Sequence, residues 1–189
     1  GDKITVVGQD FLLPLPGEHN ASNYLAAIAI AQILNIDFTP LLAGLQVQLP
    51  QGRSRRYDLP DDVVILDETY NAGLESMLAA VQMLKATPGT RHIAVLGTMK
   101  ELGEHSPQLH HQVGKKAREL NLDLLMVLAD ETATQAMIEG AAGIQTECFS
   151  DRATLTSKLK QVIRPGDRIL CKASNSVGLN KVVEELIKI

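Results

Sequence analysis

From residue 63 onward, short apolar runs alternate with longer stretches in which apolar residues recur every three or four positions. The short runs are rich in Val, Ile and Leu, which predicts buried strands. We place these strands at residues 63–68, 92–97, 124–129, 146–149 and 167–173. Because strands that alternate with helices form right-handed βαβ units, the pattern predicts a mostly parallel sheet with helices on both faces. The predicted fold class is α/β, with a doubly wound, Rossmann-like sheet.

The stretches between these strands predict amphipathic helices. In the first stretch Leu74, Met77 and Val81 recur with helical spacing, as expected for a helix that packs one face on a sheet. The predicted helices cover residues 74–86, 107–121, 131–142, 152–163 and 179–188.

The first 48 residues do not follow this alternation. They predict a strand at 3–7, a loop rich in Pro and Gly, a helix at about 20–35 and a shorter helix at 39–46. Pro50 and Gly52 then predict a linker. We therefore expect two domains, residues 1–49 and residues 50–189. The chain starts within a strand pattern and has no initiator Met, so we expect it to be a piece of a longer protein.

Composition narrows the classes of function. A net charge of −4, the absence of Trp and the lack of a run rich in Lys and Arg argue against a nucleic-acid surface. The chain has no stretch of about 20 uncharged apolar residues, so no membrane span is predicted. Cys148 and Cys171 lie in apolar runs, so we expect buried, reduced thiols in a cytoplasmic protein. His110 and His111 are adjacent and cannot both face one metal ion from a helix; we expect them to be surface or boundary residues, and we expect no metal site.

Two carboxylates end the first strand of the predicted parallel sheet, Asp67 and Glu68. In an open parallel sheet, ligands bind outside the carboxyl ends of the strands. A carboxylate at this edge can accept hydrogen bonds from both hydroxyls of a ribose. The alternative is that one of the two acids only caps the next helix or solvates the strand end.

Residues before the first parallel strand supply two further candidate groups. Asn20 and Asn23 lie one helical turn apart, and carboxamides can pair with an adenine edge; the alternative for Asn20 is a helix N-cap. Arg53, Arg55 and Arg56 form a basic cluster that suits phosphate oxygens, and the alternative is a solvated face.

The segment after the last strand carries polar groups near the start of the last helix. Lys172, Ser174 and Ser176 could bind a carboxylate or phosphate there, where the helix dipole favours negative charge. The alternative is that the serines only cap the helix. The glycines from Gly97 to Gly103 fit neither a Walker phosphate loop nor the dinucleotide fingerprint.

Four segments quoted from the chain carry a family resemblance. They are GEHNASNYLAAIAIAQILNI, GRSRRYDLPDDVVILDETYNAGLESMLAAV, IAVLGTMKELGEHSPQLHHQVG and GDRILCKASNSVGLNKVVEEL. In this order, and over nearly the whole chain, they resemble the Mur ligases, the amide ligases of peptidoglycan precursors. The resemblance implies that residues 1–49 end the central ATP-binding domain and that residues 50–189 are the Mur ligase C-terminal domain. The chain departs from the family pattern at Glu68, Thr98 and Asn175, where the family usually has Asp, Asp and Arg.

The resemblance implies a ligase that uses ATP and Mg²⁺ to activate the terminal carboxylate of UDP-MurNAc-tripeptide as an acyl phosphate. D-alanyl-D-alanine would then attack, and Tyr70–Ala72 is a form characteristic of the family member that uses this dipeptide. The chain has no phosphate-loop motif, so the resemblance implies that this motif and the magnesium ligands lie upstream. We expect this piece to be inactive alone and the protein to be a monomer.

The resemblance also implies roles for individual residues. Asn20 and Asn23 would bind the adenine, Arg53 the phosphates, and Glu68 with Asp67 the ribose, while Tyr70 and Asn71 order the adjacent turn. The dipeptide would meet the loops at residues 97–106 and 172–178, the second of which contains Lys172, Ser174 and Ser176.

Two alternatives stay open at this point. The first is another Mur-type amide ligase, such as an amino-acid-adding enzyme or a folylpolyglutamate synthetase. The second is a phosphoacceptor signalling domain. Such a domain has acids and a lysine at strand ends, and this chain has similar residues at Asp67, Glu68, Asp130 and Lys172. The distance in sequence from the acidic pair to Asp130 is long for such a domain, and residues 1–56 would have no place in it.

Overall fold

The computed structural model describes residues 3–6, 8–15, 17–45, 47 and 51–188. The chain divides into two compact units, Gly1–Leu49 and Pro50–Ile189. Pro50, part of the predicted linker, lies outside the described residues.

The first unit contains a hairpin, a helix and a 3-10 turn. Strands β1 (Lys3–Val6) and β2 (Gln9–Leu12) pair antiparallel, and α1 (Glu18–Ile33) precedes a 3-10 turn at Thr39–Ala43. Its buried residues are Phe11, Tyr24 and Ile28. The sequence did not predict β2, because four residues that follow a turn give too short a pattern, and the helix expected at 39–46 is the shorter 3-10 turn.

The second unit is built on a six-stranded sheet. The strands are β3 (Arg55–Leu59), β4 (Val63–Glu68), β5 (Arg91–Gly97), β6 (Leu124–Leu128), β7 (Thr146–Cys148) and β8 (Asp167–Lys172). Their order is β3-β4-β8-β5-β6-β7, and every neighbouring pair is parallel except β3 and β4. The sequence did not predict β3, because this edge strand is largely polar and reads as a linker.

Helices cover both faces of this sheet. They are α2 (Leu74–Ala86), α3 (Ser106–Glu119), α4 (Glu131–Gly140), α5 (Arg152–Val162) and α6 (Leu179–Leu186). Met77, Val113 and Met137 place α2, α3 and α4 in one apolar cluster, and Leu155 and Val183 place α5 and α6 in the other. The doubly wound, mostly parallel α/β prediction is therefore confirmed.

Two glycines let α3 and α4 approach each other closely. A Cβ atom on Gly114 would lie 2.2 Å from the Met137 carbonyl oxygen, and one on Gly140 would lie 2.1 Å from the His111 carbonyl oxygen. Because a side chain at either position would collide with backbone, these glycines fix the position of α3 against α4.

The strand order places a crevice at the carboxyl edge of the sheet. The chain leaves β4 and β5 towards helices on one face, and it leaves β8, which lies between them, towards α6 on the other face. Neighbouring connections that diverge in this way open the sheet edge to a ligand. We name two of the connections the β4 turn (residues 69–73) and the β5 loop (residues 98–105).

Candidate functional site

The two acids at the end of β4 are not equivalent. Asp67 is 1% exposed, and its Oδ1 accepts hydrogen bonds from the Thr69 backbone N–H (3.1 Å) and the Thr69 hydroxyl (2.6 Å). This is an Asx-type turn, in which the acid orders its own chain. Glu68 is half-buried. The geometry therefore gives Asp67 a structural role in the β4 turn and leaves Glu68 as the acid available to a ligand.

A glycine brings Arg53 to the β4 turn. The Gly52 carbonyl accepts a hydrogen bond from the Tyr70 N–H at 2.8 Å. Gly52 has φ of +79°, and a Cβ atom there would lie 2.7 Å from the Thr69 hydroxyl oxygen, so only glycine fits this approach. The next residue then places its guanidinium carbon 4.4 Å from the centre of the Tyr70 ring, a cation–π distance.

The other two arginines of the basic cluster lie on the edge strand β3. Arg55 is the register partner of Asp67, and Arg56 forms an exposed ion pair with Asp58 at 2.7 Å. Of the three, the structure brings Arg53 to the β4 turn, and Arg56 fits the solvated-face alternative.

Lys172, at the end of β8, links this strand to the β4 turn. It is 4% exposed, its strand neighbour in register is Glu68, and its ammonium donates to the Asn71 carbonyl at 2.8 Å. Burial lowers the pKa of Lys172, while the charge of Glu68 acts to raise it and that of Arg53 to lower it. A buried lysine with a backbone partner orders the turn, so the structure favours this role over direct contact with a substrate.

A cleft of about 400 Å³ lies over the carboxyl ends of β5, β6 and β8, beside the start of α5. We call it the carboxyl-edge cleft; its polar lining residues are Thr98, Lys100, Asp130, Ser150, Asp151, Arg152 and Ser176. The lining combines two cationic with two acidic side chains. Such a lining complements a small molecule that carries both charges.

The sequence prediction located this cleft only in part. Ser176 is exposed and lines it, and Lys100 falls in the loop expected to meet the dipeptide. Asp151 and Arg152 were missed, because they follow the short strand β7 and only the strand order brings them to this edge.

Thr98 and Asp130 join the β5 loop to the start of α4. The Thr98 hydroxyl donates to the Asp130 carboxylate and accepts from the Asp130 N–H, both at 3.1 Å. The same carboxylate caps α4 by accepting from the Ala133 N–H. Burial acts to raise the pKa of Asp130, but these hydrogen bonds and the charge of Lys100 lower it overall. Asp130 is thus an ionised cap with several partners.

Two buried side chains hold the β5 loop at successive amides. The Lys100 N–H donates to the Ser174 hydroxyl at 2.9 Å, and the Ser174 N–H donates to the Thr98 carbonyl at 3.1 Å. The Met99 N–H donates to Nε2 of His110 at 2.9 Å. Ser174 is 6% exposed and anchors the loop; its contact with a substrate stays a prediction.

The expectation that His110 is a surface or boundary residue is wrong. Its side chain is fully buried, whereas His111 is exposed. The helical spacing of His110, Val113 and Ala117 places all three on the buried face of α3. The helical spacing could have been read from the sequence. It was overlooked because the two adjacent histidines were treated together as a possible metal site.

The two asparagines lie in the first unit. Helix α1 begins at Glu18 with Gly17 as its N-cap residue, so the N-cap alternative for Asn20 is wrong. Asn20 is half-buried and Asn23 is exposed, both near the start of α1. Their adenine role stays a prediction.

The two cysteines are free thiols in different surroundings. Cys171 is buried, and burial together with the charge of Asp67 raises the pKa of its thiol. Cys148 is exposed at the end of β7, so the expectation of a buried thiol there is wrong. Across the described ranges no group of three or more His, Cys, Asp and Glu side chains could hold a metal ion.

Comparison of this chain with known protein families identifies the class of protein to which its fold and its carboxyl-edge groups belong. Residues 52–175 match the family described as Mur ligase, glutamate ligase domain. The chain therefore belongs to the Mur ligase family, which confirms the resemblance. Within the part of the chain that the structure describes, no helix has the length and apolar character needed to cross a membrane.

Similar proteins narrow the identity further. UDP-N-acetylmuramoyl-tripeptide--D-alanyl-D-alanine ligase from Synechocystis sp. is 54% identical over 187 residues, which are 99% of this chain and 41% of that protein. The Escherichia coli protein of the same name is 37% identical over 180 residues, 94% of this chain and 39% of that protein. This chain spans about 40% of the length of these relatives.

Solved structures similar to this chain include ligases of the same family. MurF from Acinetobacter baumannii has a TM-score of 0.83 and 30% identity, with 96% of this chain and 40% of that chain covered. MurF ligase from Thermotoga maritima in complex with ADP has a TM-score of 0.72 and 27% identity, with 92% and 39% covered. These structural neighbours give no support to the phosphoacceptor alternative. The role of Asp130 as a helix cap gives it no support either.

Proposed function

We propose that this chain is the closing part of an ATP-dependent ligase that adds D-alanyl-D-alanine to UDP-MurNAc-tripeptide. The observation that carries the proposal is the arrangement around the end of β8. Lys172 bonds to the β4 turn and Ser174, two residues later, bonds to the β5 loop. The β4 turn, as the nucleotide contact, and the β5 loop, as part of the dipeptide contact, would thus lie on the two sides of the end of β8.

The β4 turn is the proposed nucleotide contact. Glu68 is half-buried at a strand end, where a carboxylate can accept both ribose hydroxyls. Arg53 is exposed and its guanidinium is oriented by the Tyr70 ring, which leaves its hydrogen-bond donors for phosphate oxygens. Tyr70 and Asn71 order the turn, and Asp67 supports it through Thr69. In the proposed ligase Asn20 and Asn23 bind the adenine.

The carboxyl-edge cleft is the proposed site of the dipeptide. Lys100 and Arg152 can bind the dipeptide carboxylate, and Asp130 and Asp151 can bind its ammonium group before the amine loses its proton and attacks. Ser176 lines the same cleft, whereas Lys172 and Ser174 act behind it. This assignment replaces direct substrate contacts of Lys172 and Ser174 with roles in ordering the two loops.

In the proposed reaction, phosphorylation by ATP turns a carboxylate, which is a poor acylating agent, into an acyl phosphate with a good leaving group. Arg53 would stabilise charge on the phosphates, and closure of this part would bring the dipeptide amine to the acyl carbon. Mg²⁺ and its ligands would belong to the region that precedes residue 1 in such a ligase.

The first unit is the proposed end of the ATP-binding domain. Apolar side chains on several sides of α1 are exposed within this unit, with Leu25 43%, Ile30 57% and Ile33 78% exposed. A helix that is apolar all round belongs in the interior of a larger domain. We also propose a cytoplasmic location, since the reaction consumes ATP, and a monomer, since all proposed contacts lie within one chain.

The test is phosphate release by the intact ligase that contains this chain, with ATP, Mg²⁺ and UDP-MurNAc-tripeptide. Release that requires D-alanyl-D-alanine would support the proposal. Release triggered instead by a single amino acid or by glutamate would move the protein to a sister enzyme of the same family. The variant Arg53→Ala should raise the ATP concentration needed for half-maximal rate, and an unchanged ATP dependence would overturn the phosphate assignment.

A further inference from the structure

His110 has a defined protonation state that follows from its hydrogen bonds. A backbone N–H can only donate, so the Nε2 atom that faces the Met99 N–H at 2.9 Å must be the unprotonated acceptor. The proton of the neutral ring then lies on Nδ1, which donates to the Ser106 carbonyl at 2.7 Å. The imidazole therefore needs to be neutral, and in the Nδ1–H tautomer, to make both bonds.

The bond to Met99 acts on two residues of the carboxyl-edge cleft. Met99 lies between Thr98 and Lys100, which both line the cleft, while its own side chain is buried. The next amide along, that of Lys100, is held by Ser174. Two side chains from different elements, α3 and the segment after β8, thus fix consecutive amides of the β5 loop.

We propose that His110 is a positioning residue for the second substrate, in that its imidazole holds the β5 loop in the conformation that presents Thr98 and Lys100 to the cleft. This inference rests on the proposed function, because it assigns the cleft to D-alanyl-D-alanine. His110 is fully buried and does not line the cleft, so it acts on the substrate only through the loop.

The surroundings of the ring keep it neutral. Burial lowers the pKa of His110; the Ser106 carbonyl and the charge of Asp130 act to raise it, and the charge of Lys100 to lower it. Lys100 and Asp130 belong to the two elements that meet at the cleft, and His111 on α3 is exposed. A ligand that binds Lys100 or Asp130 therefore also changes the electrostatic field at His110.

The tautomer can be tested in the intact ligase that contains this chain, without any assay of activity. Ring nitrogen chemical shifts of His110, measured by NMR at pH 7.5 with His110→Gln for assignment, should show a protonated Nδ1 and an unprotonated Nε2. A ring with its proton on Nε2 could not accept from the Met99 N–H and would overturn the inference.

The effect on substrate binding can be tested in the intact ligase. His110→Phe keeps a ring in the core but removes the acceptor, and we expect it to raise KM for D-alanyl-D-alanine by about tenfold while KM for ATP stays near the wild-type value. His110→Gln, which can place an acceptor near the Nε2 position, should recover much of the loss. His111→Gln changes the exposed neighbour and is the matched control.

The outcomes separate this inference from the proposed function. An equal rise in both KM values, or a Gln variant no better than the Phe variant, would overturn the positioning role. If the wild-type ligase releases no phosphate in response to the dipeptide, the proposed function fails, while the nitrogen shifts still decide whether His110 holds the loop. If His110→Phe does not fold, the His110→Gln variant and the wild-type shifts decide the question.

Discussion

The β4 turn and the β5 loop lie at the same edge of the sheet but are held in place by different means. The β4 turn depends on a close backbone approach, in which the Gly52 carbonyl accepts from the Tyr70 N–H, and on the adjacent Asp67. Lys172 adds one side-chain bond from β8. The β5 loop is ordered by His110 on α3 and by Ser174, which lies 74 residues beyond Lys100.

This difference has a physical consequence for how each region responds to change. A turn held by a tight backbone approach depends on backbone geometry at a few positions, whereas a loop anchored by buried side chains of other elements depends on how helices and strands pack. Substitutions in one region should therefore leave the other region largely unaffected. The end of β8 contacts both regions, but through different side chains, Lys172 at the β4 turn and Ser174 at the β5 loop.

The largest effect on the β4 turn is expected from Gly52→Ala. The new Cβ atom would lie 2.7 Å from the Thr69 hydroxyl oxygen at φ of +79°, so strain and collision add. We expect a loss of about 2–4 kcal/mol in the free energy of unfolding, together with a raised KM for ATP. Urea unfolding and steady-state kinetics measure the two effects.

A matched control for this change is Gly143→Ala. Gly143 also has a positive φ, of +109°, but no atom lies within 4 Å of the position that a Cβ atom would take there. It should cost about 1–2 kcal/mol from backbone strain alone. Equal losses for the two variants would show that the approach of Gly52 to Thr69 does not order the β4 turn.

The β5 loop should respond to Ser174→Ala. The change removes the acceptor of the Lys100 N–H, in a hydrogen bond that is only partly buried, and the loss of such a bond costs about 0.5–1.5 kcal/mol. We expect this loss of stability and a raised KM for the dipeptide, with KM for ATP near the wild-type value. The control is Ser157→Ala on the exposed side of α5; a shift in KM for ATP as large as that for the dipeptide would contradict the separation of the two regions.

Acid should weaken the β5 loop more than the β4 turn, through His110. Its pKa is lowered in the folded protein by burial, while in the unfolded chain it is about 6.5. Below that value the unfolded chain takes up a proton that the folded protein does not, so stability falls as pH decreases. For one proton the slope cannot exceed about 1.4 kcal/mol per pH unit.

Urea unfolding of the wild type and of His110→Gln between pH 8 and pH 5.5 checks this expectation. The variant should lose the part of the pH dependence that belongs to His110, and the carboxylates, which are common to both proteins, cancel in the comparison. Identical slopes in the two proteins would contradict a neutral, buried His110.

The smallest effect on stability is expected from Arg53→Ala. An exposed cation–π contact contributes about 0.5–1 kcal/mol, so the folded state should change little even as the ATP dependence of the rate changes. Arg56→Ala is the control, because it removes an exposed ion pair with a similarly small effect. A change in ATP dependence with Arg56→Ala but not with Arg53→Ala would reverse the assignment of the basic cluster.

The contrast between the two regions also explains what could be predicted from the sequence. The bounds of β4 and α2 match the prediction, because a strongly apolar strand and an amphipathic helix leave clear patterns. The edge strands β2 and β3 were missed, since short or polar strands have weak patterns. Asp67 and Glu68 were recognised as candidates because they are adjacent in the chain.

Residues that act over long distances in sequence could not be assigned in the same way. The sequence suggested Lys172 and Ser174 as ligand contacts, but both are buried and hold neighbouring loops. Arg152 enters the carboxyl-edge cleft only through the strand order. The polar character of these positions was predictable, and their partners were not, because the partners are set by tertiary packing.

The division of roles between the β4 turn and the β5 loop is tested by comparing Arg53→Ala and Ser174→Ala in the intact ligase, with phosphate release measured at varied ATP and at varied D-alanyl-D-alanine. We expect the first variant to raise KM for ATP and the second to raise KM for the dipeptide, each with little effect on the other constant. If both variants raise the same constant, the β4 turn and the β5 loop do not serve different substrates.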